Sequence, residues 1–327
     1  MKANGGERMA SGGRRQTLLL AAAQALYLSS VSVVFTFSGL AGAELAPTPG
    51  LATLPLALIT VVTAAAAIPT SLLMARVGRR LGFQAGALIG ATGSGVAAWG
   101  MAAGDFALFC LGNALMGVFQ ASAMYYRFAA ADMAGAAFRA KAVAWVLAGG
   151  VAAALVGPEI AARTRHLVSG AEYAGAYAAS ALIALISIAL LGFLRAPPSA
   201  TENEKKAPAR TLAAIMRQPV FLVALLNAAA AYVVMSFVMT ASPLAVVAAG
   251  HGVDAAAEVT RWHLIGMFAP SFITGGLATR YGVRWILMGG LGLSAISLGI
   301  ALSGPGLLLF CFWERGGISS TSAAPPC

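Results

Sequence analysis

Three polar side chains follow one another at a constant spacing in an otherwise apolar stretch. Asn113, Gln120 and Arg127 are seven residues apart. On an α-helix this spacing drifts by only about 20° per step, so the three side chains share one face. That face could hydrogen-bond a polar solute, and Arg127 could hold an anionic group or pair with Asp132. Arg127 could equally anchor the segment at a membrane surface.

Two titratable side chains in apolar stretches could move protons. A carboxylate such as Glu159, held away from water, can take up and release a proton, and a histidine such as His263 titrates near neutral pH. Each has a simpler alternative. Glu159 could lie at a membrane surface beside Arg163. His263, which follows Glu258 and Arg261, could be a structural histidine bonded to a neighbouring carbonyl group.

Four further polar side chains are candidates to line a cavity: Gln24, Tyr27, Tyr126 and Asn227. Gln24 and Tyr27 share one face of the first apolar stretch, and Asn227 is the lone amide of its stretch. Side chains of this kind either contact a solute or join neighbouring helices by hydrogen bonds.

Signatures of an enzyme are missing from the sequence. It has no G-x-x-x-x-G-K-[ST] loop for a nucleotide, only three histidines, and no pair among Cys110, Cys311 and Cys327 with metal-ligand spacing. We therefore predict that the chain is not an enzyme and has neither a cofactor nor a metal site.

The composition requires lipid as the solvent of most side chains. Hydrophobic residues make up 59% of the 327 positions and charged residues 10%, whereas soluble proteins carry about 25% charged residues. The mean hydropathy is +0.83. Nine apolar segments are each long enough to cross a bilayer as a helix, namely 18–41, 51–75, 83–103, 106–131, 142–162, 173–194, 220–247, 259–279 and 285–303. A tenth begins near Leu307 and stops at Trp313.

The basic residues predict how these spans are oriented. If the N-terminus is cytoplasmic, 17 of the 21 Lys and Arg residues lie in cytoplasmic segments. Such a bias is typical of cytoplasmic loops, so we predict a multi-pass protein of the bacterial inner membrane with its N-terminus inside. The net charge of +10 then reflects topology, and no nucleic-acid partner is expected.

A polar segment divides the chain into two parts. Residues 195–218 contain three prolines and mixed charges, which is typical of a linker. The predicted organisation is a cytoplasmic tail (1–17), a six-helix bundle (18–194), the cytoplasmic linker (195–218), a partial second bundle (219–313) and an aberrant tail (314–327).

An internal repeat relates the two parts at an offset of 204 residues. It matches Thr70 with Thr274, Leu73 with Leu277, Arg76 with Arg280, Gly78 with Gly282, and Arg80 with Arg284. Both copies follow the second span of their half, as expected for parallel repeats of six helices. Residues 71–80, SLLMARVGRR, resemble the loop signature G-x-L-a-D-r-x-G-R-R of the major facilitator superfamily. Ala75 and Thr279 replace its aspartate, which puts the usual gating ion pair in doubt.

Two further segments bear on this resemblance. Gly157-Pro158-Glu159, preceded by Gly149-Gly150, is similar to the antiporter motif of the family, although ordinary small-residue packing is an alternative. Asn113 stands where the family has an arginine linked to proton coupling. Residues 125–132 and 262–275 resemble a bacterial subgroup, some of whose members carry vitamin-like or drug-like solutes.

The resemblance implies an all-α, two-bundle transporter with six helices in each bundle, of which nine or ten are present here. The implied function is secondary transport of a small organic solute by alternating access, as a monomer in the lipid bilayer. Proton coupling is possible in this family, and the antiporter motif favours efflux. The alternative is a truncated, non-transporting remnant or scaffold, because the expected last helices do not follow Trp313.

Overall fold

The computed structural model describes residues 3–134, 138–195, 216–248, 250, 252–270, 273, 277 and 280–302. All regular structure in these ranges is helical. Besides a 3₁₀ turn at Pro49–Leu51, the helices are α1 (Ala3–Leu45), α2 (Leu54–Val77), α3 (Arg79–Ala103), α4 (Phe106–Ala123), α5 (Tyr126–Met133), α6 (Arg139–Thr164), α7 (Ala174–Leu191), α8 (Pro219–Ala248), α9 (Val253–Phe268) and α10 (Val283–Leu302). Each of the nine predicted spans overlaps one of these helices within the described residues, with two differences described below. The predicted tenth span and the tail from residue 314 lie outside the described residues.

Among the described residues, six helical segments are long and apolar enough to cross a membrane: Gly13–Leu45, Pro49–Val77, Phe106–Met133, Lys141–Thr164, Ala174–Leu191 and Pro219–Ala248. The chain divides into two compact units, residues 1–271 and 272–327. The first contains α1 to α9. The second, as far as it is described, contains α10, whose large apolar side chains are exposed.

α1 is the central helix of the first unit. It packs against α6 and α7 and also contacts α4, α5 and α8. Small hydroxyl side chains occupy much of its buried surface, including those of Ser29, Ser30, Ser32, Thr36 and Ser38. Small residues let neighbouring backbones approach, and their hydroxyl groups can hydrogen-bond across helices.

Glycines bring α3 and α4 into direct backbone contact. A Cβ atom added to Gly93 would lie 2.7 Å from the carbonyl oxygen of Gly112, and one added to Gly112 would lie 2.5 Å from that of Gly93. Gly86, Gly90 and Gly100 face α4 equally closely. A residue with a side chain would not fit at these positions. The glycines therefore set the distance between α3 and α4.

The fourth predicted span is interrupted near the end of α4. The amide of Tyr125 donates to the carbonyl oxygen of Ser122 at 3.1 Å, which tightens the helix into a turn before α5 begins. The Tyr125 hydroxyl also donates to the carbonyl oxygen of Ala67 in α2, at 2.9 Å. Asn113 and Gln120 thus lie on α4 before the turn, and Arg127 lies on α5 after it.

The eighth predicted span begins earlier than expected. α9 starts at Val253, six residues before the predicted start, and Asp254 lies in its first turn. A negative charge there is favourable because the helix dipole is positive at its N-terminus. Polar residues thus extend the helix beyond its apolar part, and His263 lies almost three turns from its start rather than one.

The two copies of the internal repeat share an unusual backbone conformation. Gly78 has a φ of 86° and Gly282 a φ of 85°. A positive φ of this size is unfavourable for residues with a Cβ atom, which explains the glycine in both copies. Gly78 forms the turn between α2 and α3, and Gly282 immediately precedes α10.

Replacing Gly93 by alanine is expected to destabilise the contact between α3 and α4. The new methyl group would overlap the Gly112 carbonyl group, at a cost of about 1–3 kcal/mol. We expect the apparent melting temperature of the purified protein in detergent to fall by several degrees. Gly95→Ala is the control, because a Cβ atom there meets nothing within 4 Å. An equal loss in both variants would contradict the proposed contact.

Candidate functional site

Asn113 lies inside the first unit rather than at a cavity. Its side-chain oxygen accepts hydrogen bonds from Ser38 Oγ at 2.8 Å and from the Tyr177 hydroxyl at 3.2 Å. Its amide nitrogen donates to the carbonyl oxygen of Phe109 at 2.8 Å. The residue is completely buried. These bonds join α1, α4 and α7, so the geometry of Asn113 is that of a packing residue.

Gln120 instead connects α4 with α8. Its Nε2 lies 3.2 Å from the hydroxyl oxygen of Tyr232 and donates to it. Its Oε1 is buried and has no hydrogen-bond partner among the residues that the structure describes. This hydrogen bond links the part of the chain before the linker to the part after it. The buried Gln120 Oε1 lies beside the bond as an acceptor.

Two aromatic pairs involve residues close to Gln120 in the sequence. Tyr27 of α1 meets Phe119, the neighbour of Gln120, edge to face at 5.1 Å between ring centroids. Tyr126 meets Phe83 in the same manner at 4.8 Å. We name Tyr27, Phe119, Gln120 and Tyr232 the amide–aromatic cluster. Tyr232 was not predicted, although a tyrosine in the middle of an apolar helix was a signal that could have found it.

The other predicted cavity residues are placed less centrally. Gln24 is half-buried on α1, where α6 crosses it at Gly149. Asn227 is exposed and donates to the carbonyl oxygen of Val223 in its own helix. Arg127 is half-buried with its guanidinium carbon 5.1 Å from the Phe128 ring centroid.

Asp132 pairs with Arg79 rather than with Arg127. This ion pair joins the end of α5 to the start of α3. The pair therefore places a carboxylate beside the basic residues of segment 71–80. The family signature has an aspartate in this segment, but this chain has Ala75 there. Arg76 and Arg80 are exposed in the same turn, and in the second copy Arg280 and Arg284 are exposed as well.

Ion pairs join α6 to α9 at the opposite end of the first unit. Glu159 accepts from Arg163 Nε at 2.6 Å and from Arg261 Nη2 at 2.8 Å. Arg165 pairs with Asp254 at 3.1 Å. The sequence suggested Arg163 as the neighbour of Glu159, and the structure shows that pair. Arg261 is a second partner, and it binds Glu159 to α9. α6 continues as a helix through Pro158, and Gly157 packs closely on Ser32 of α1.

The side chain of His263, on α9, faces α8. With Ser242 and Pro243 it lines a cavity of about 10 Å³, close to the size needed for one water molecule. Its Nε2 is buried and lacks a hydrogen-bond partner within the described part of the chain. Over that same part, no group of three or more His, Cys, Asp or Glu residues is placed to hold a metal ion.

These features define an integral membrane protein with a polar contact between two groups of helices and charged clusters at both ends. The chain belongs to the Major Facilitator Superfamily, whose model matches residues 20–325. It is a multi-pass transporter and not an enzyme, which confirms the predictions of fold class, family and broad function.

Three relatives are similar over most of the chain. The riboflavin transporter RfnT of Brucella anthropi is 39% identical over 327 aligned residues, covering 97% of this chain and 82% of the relative. Two proteins of Bacillus subtilis are described as uncharacterized MFS-type transporters. YddS is 28% identical, covering 76% of this chain and 60% of the relative. YdeG is 29% identical, covering 91% of this chain and 76% of the relative.

Asn113→Leu is expected to lower stability, whereas Asn227→Leu is not. The first change removes the acceptor that Ser38 and Tyr177 share inside the protein, at a cost of about 1 kcal/mol or more. The second places an apolar side chain on an exposed helix surface. Apparent melting temperatures in the same detergent would measure both effects. Equal temperatures for the two variants would count against a structural role of Asn113.

Proposed function

We propose that this chain carries riboflavin or a closely related flavin across the bacterial cytoplasmic membrane by alternating access. It acts as a monomer with its N-terminus in the cytoplasm. The observation that carries the proposal is the 39% identity to a riboflavin transporter over 97% of the chain. Residues 125–132 and 262–275 resemble a bacterial subgroup whose members include carriers of vitamin-like or drug-like solutes, and a vitamin such as riboflavin falls within that range.

The amide–aromatic cluster suits the chemistry of a flavin. A flavin has a flat aromatic ring system with N–H and carbonyl groups along one edge. Aromatic side chains such as Tyr27 offer faces and edges to such a ring, and a glutamine amide can both donate and accept. The buried Oε1 of Gln120 is an acceptor for a solute N–H group. Solute binding would replace the hydrogen bond between Gln120 and Tyr232.

The ion pairs between α6 and α9 support a gate at their end of the protein. In the present conformation Glu159–Arg261 and Arg165–Asp254 hold these helices together. A transporter that exposes its site alternately to the two sides must separate such contacts when this end opens. Ion pairs exposed to water are weak, so thermal motion and solute binding can break them.

We also propose that transport is proton-coupled and directed outward. His263 is the candidate proton carrier, because its half-buried ring lies between two helices and its Nε2 has no partner among the described residues. Glu159 is less suited, since both of its oxygens accept hydrogen bonds from arginines. The resemblance of the Gly157-Pro158 segment to the antiporter motif supports export.

Flux of riboflavin into proteoliposomes tests the solute. Vesicles with the purified chain are expected to accumulate riboflavin faster than empty vesicles, and an imposed pH difference is expected to change the rate. Gln120→Leu should lower the initial rate about tenfold, because one buried hydrogen bond to the solute is lost. Asn227→Leu is the control and should transport normally. Absence of flux with folded protein would favour the alternative of a non-transporting remnant.

Reversible cross-linking between α6 and α9 tests the gate. Cysteines at Glu159 and Arg261, in a chain lacking the native cysteines, would be joined by a short disulfide-forming reagent. We expect flux to stop after cross-linking and to recover with reductant, because the ends of the two helices can then no longer separate. The control joins cysteines at Glu159 and Arg163, which are one turn apart on α6. Flux that persists after complete α6–α9 cross-linking would rule out this gate.

A further inference from the structure

A cavity of about 660 Å³ opens at the end of the first unit that lies opposite the α6–α9 ion pairs. Its wall is formed by α1 near the start of its apolar part, by the turn between α2 and α3, and by the segment after α7. Its lining combines four arginines with apolar side chains: Arg15, Arg79, Arg80 and Arg195 with Val77, Leu81, Phe193 and Leu194. We name this space the basic cavity.

The guanidinium groups of the basic cavity have little negative charge to balance them. Asp132 pairs with Arg79, and no other lining arginine has an acidic partner within the described residues. Arg79 Nη1 is buried and also lacks a hydrogen-bond acceptor in that part of the chain. A buried guanidinium nitrogen without an acceptor is costly, so an anionic ligand would stabilise this arrangement.

The N-terminus of α3 adds donors to the same space. α3 begins at Arg79 and runs for 25 residues, yet its first turn has no acidic residue and no side chain caps it. The first amide groups of a helix have no intrahelical acceptor, and the helix dipole is positive at this end. Because Gly78, Arg79, Arg80 and Leu81 line the cavity, these donors and the guanidinium groups can act on one anion.

The position of the basic cavity matches the depth of lipid phosphate groups. Arg15 lies two residues inside the apolar segment Gly13–Leu45, and Arg79 follows the segment that ends at Val77. Arg195 comes four residues after the end of α7, and its amide donates to Gln16 Oε1 at 2.9 Å. The start of the apolar part of α1, the turn before α3 and the segment after α7 therefore lie at one boundary between apolar and polar surroundings. The apolar part of the lining suits the glycerol and upper acyl carbons of a lipid.

We propose that the basic cavity binds a phosphate anion, supplied by the glycerophosphate headgroup of an anionic membrane lipid. The arginines and the α3 N-terminus hold the phosphate oxygens, and Val77, Leu81 and Phe193 contact the lipid carbons. This site is separate from the amide–aromatic cluster. A neutral flavin carries no phosphate, so the proposal does not depend on the transported solute.

Lipid retention by the purified full-length chain tests the site. Wild-type protein in detergent is incubated with phosphatidylglycerol or phosphatidylcholine, and bound lipid is counted by native mass spectrometry. We expect preferential binding of phosphatidylglycerol, reduced at least about tenfold in the Arg15→Gln/Arg195→Gln variant. Arg79→Gln should weaken binding further. The control variant is Arg139→Gln/Lys141→Gln, whose basic residues are exposed and do not line the cavity.

A competition arm separates the two sources of phosphate. Glycerol 3-phosphate and inorganic phosphate are titrated against bound phosphatidylglycerol. Failure of both to compete at millimolar concentration supports a lipid ligand, since the acyl carbons then contribute to binding. Displacement at micromolar concentration, lost in the arginine variant, would keep the phosphate site but overturn the lipid as its source. Equal binding of both lipids, or full retention by a folded Arg15→Gln/Arg195→Gln variant, would overturn the proposal.

Discussion

Close contact between helix backbones is the interaction on which the rest of this structure depends. Apolar side chains gain little by leaving lipid, so helices associate in a bilayer through van der Waals contact and hydrogen bonds. Gly93 and Gly112 provide that contact between α3 and α4, and Gly149 and Gly157 provide it between α6 and α1. Helices held this closely leave little space between them, so polar side chains there must find partners within the protein.

The amides on α4 show how this constraint separates structural from functional side chains. Asn113 faces helices of its own bundle. Its side-chain oxygen accepts two hydrogen bonds and its nitrogen donates one, all within the protein. Gln120, two turns further along, faces α8 and keeps an acceptor without a partner in the described residues. A transported solute can compete for the second kind of contact. It cannot reach the first without separating packed helices.

Hydropathy predicted most of the described helices, because a bilayer requires long apolar helices whatever their partners are. The candidate site was less predictable. The shared face of Asn113, Gln120 and Arg127 was predicted for one regular helix, but a turn separates α4 from α5, and Tyr125 in that turn bonds to Ala67, a residue 58 positions away. The partners of Glu159 and Asp132 likewise come from other helices. Tyr232 is a polar residue within an apolar helix, but its contact with Gln120 depends on how α8 packs against α4.

The charges at the two ends of the first unit have different consequences for its conformational equilibrium. Between α6 and α9 each carboxylate has a guanidinium partner, so that end resists separation directly. Around the basic cavity, the described residues provide four guanidinium groups and one paired carboxylate, and the mutual repulsion of the guanidinium groups disfavours close approach. An anion bound there would reduce the repulsion and favour the conformation in which α1, α3 and α7 are close. A headgroup that bound all conformations equally would shift nothing. The proposed lipid site therefore affects transport only to the extent that these three helix ends move relative to one another.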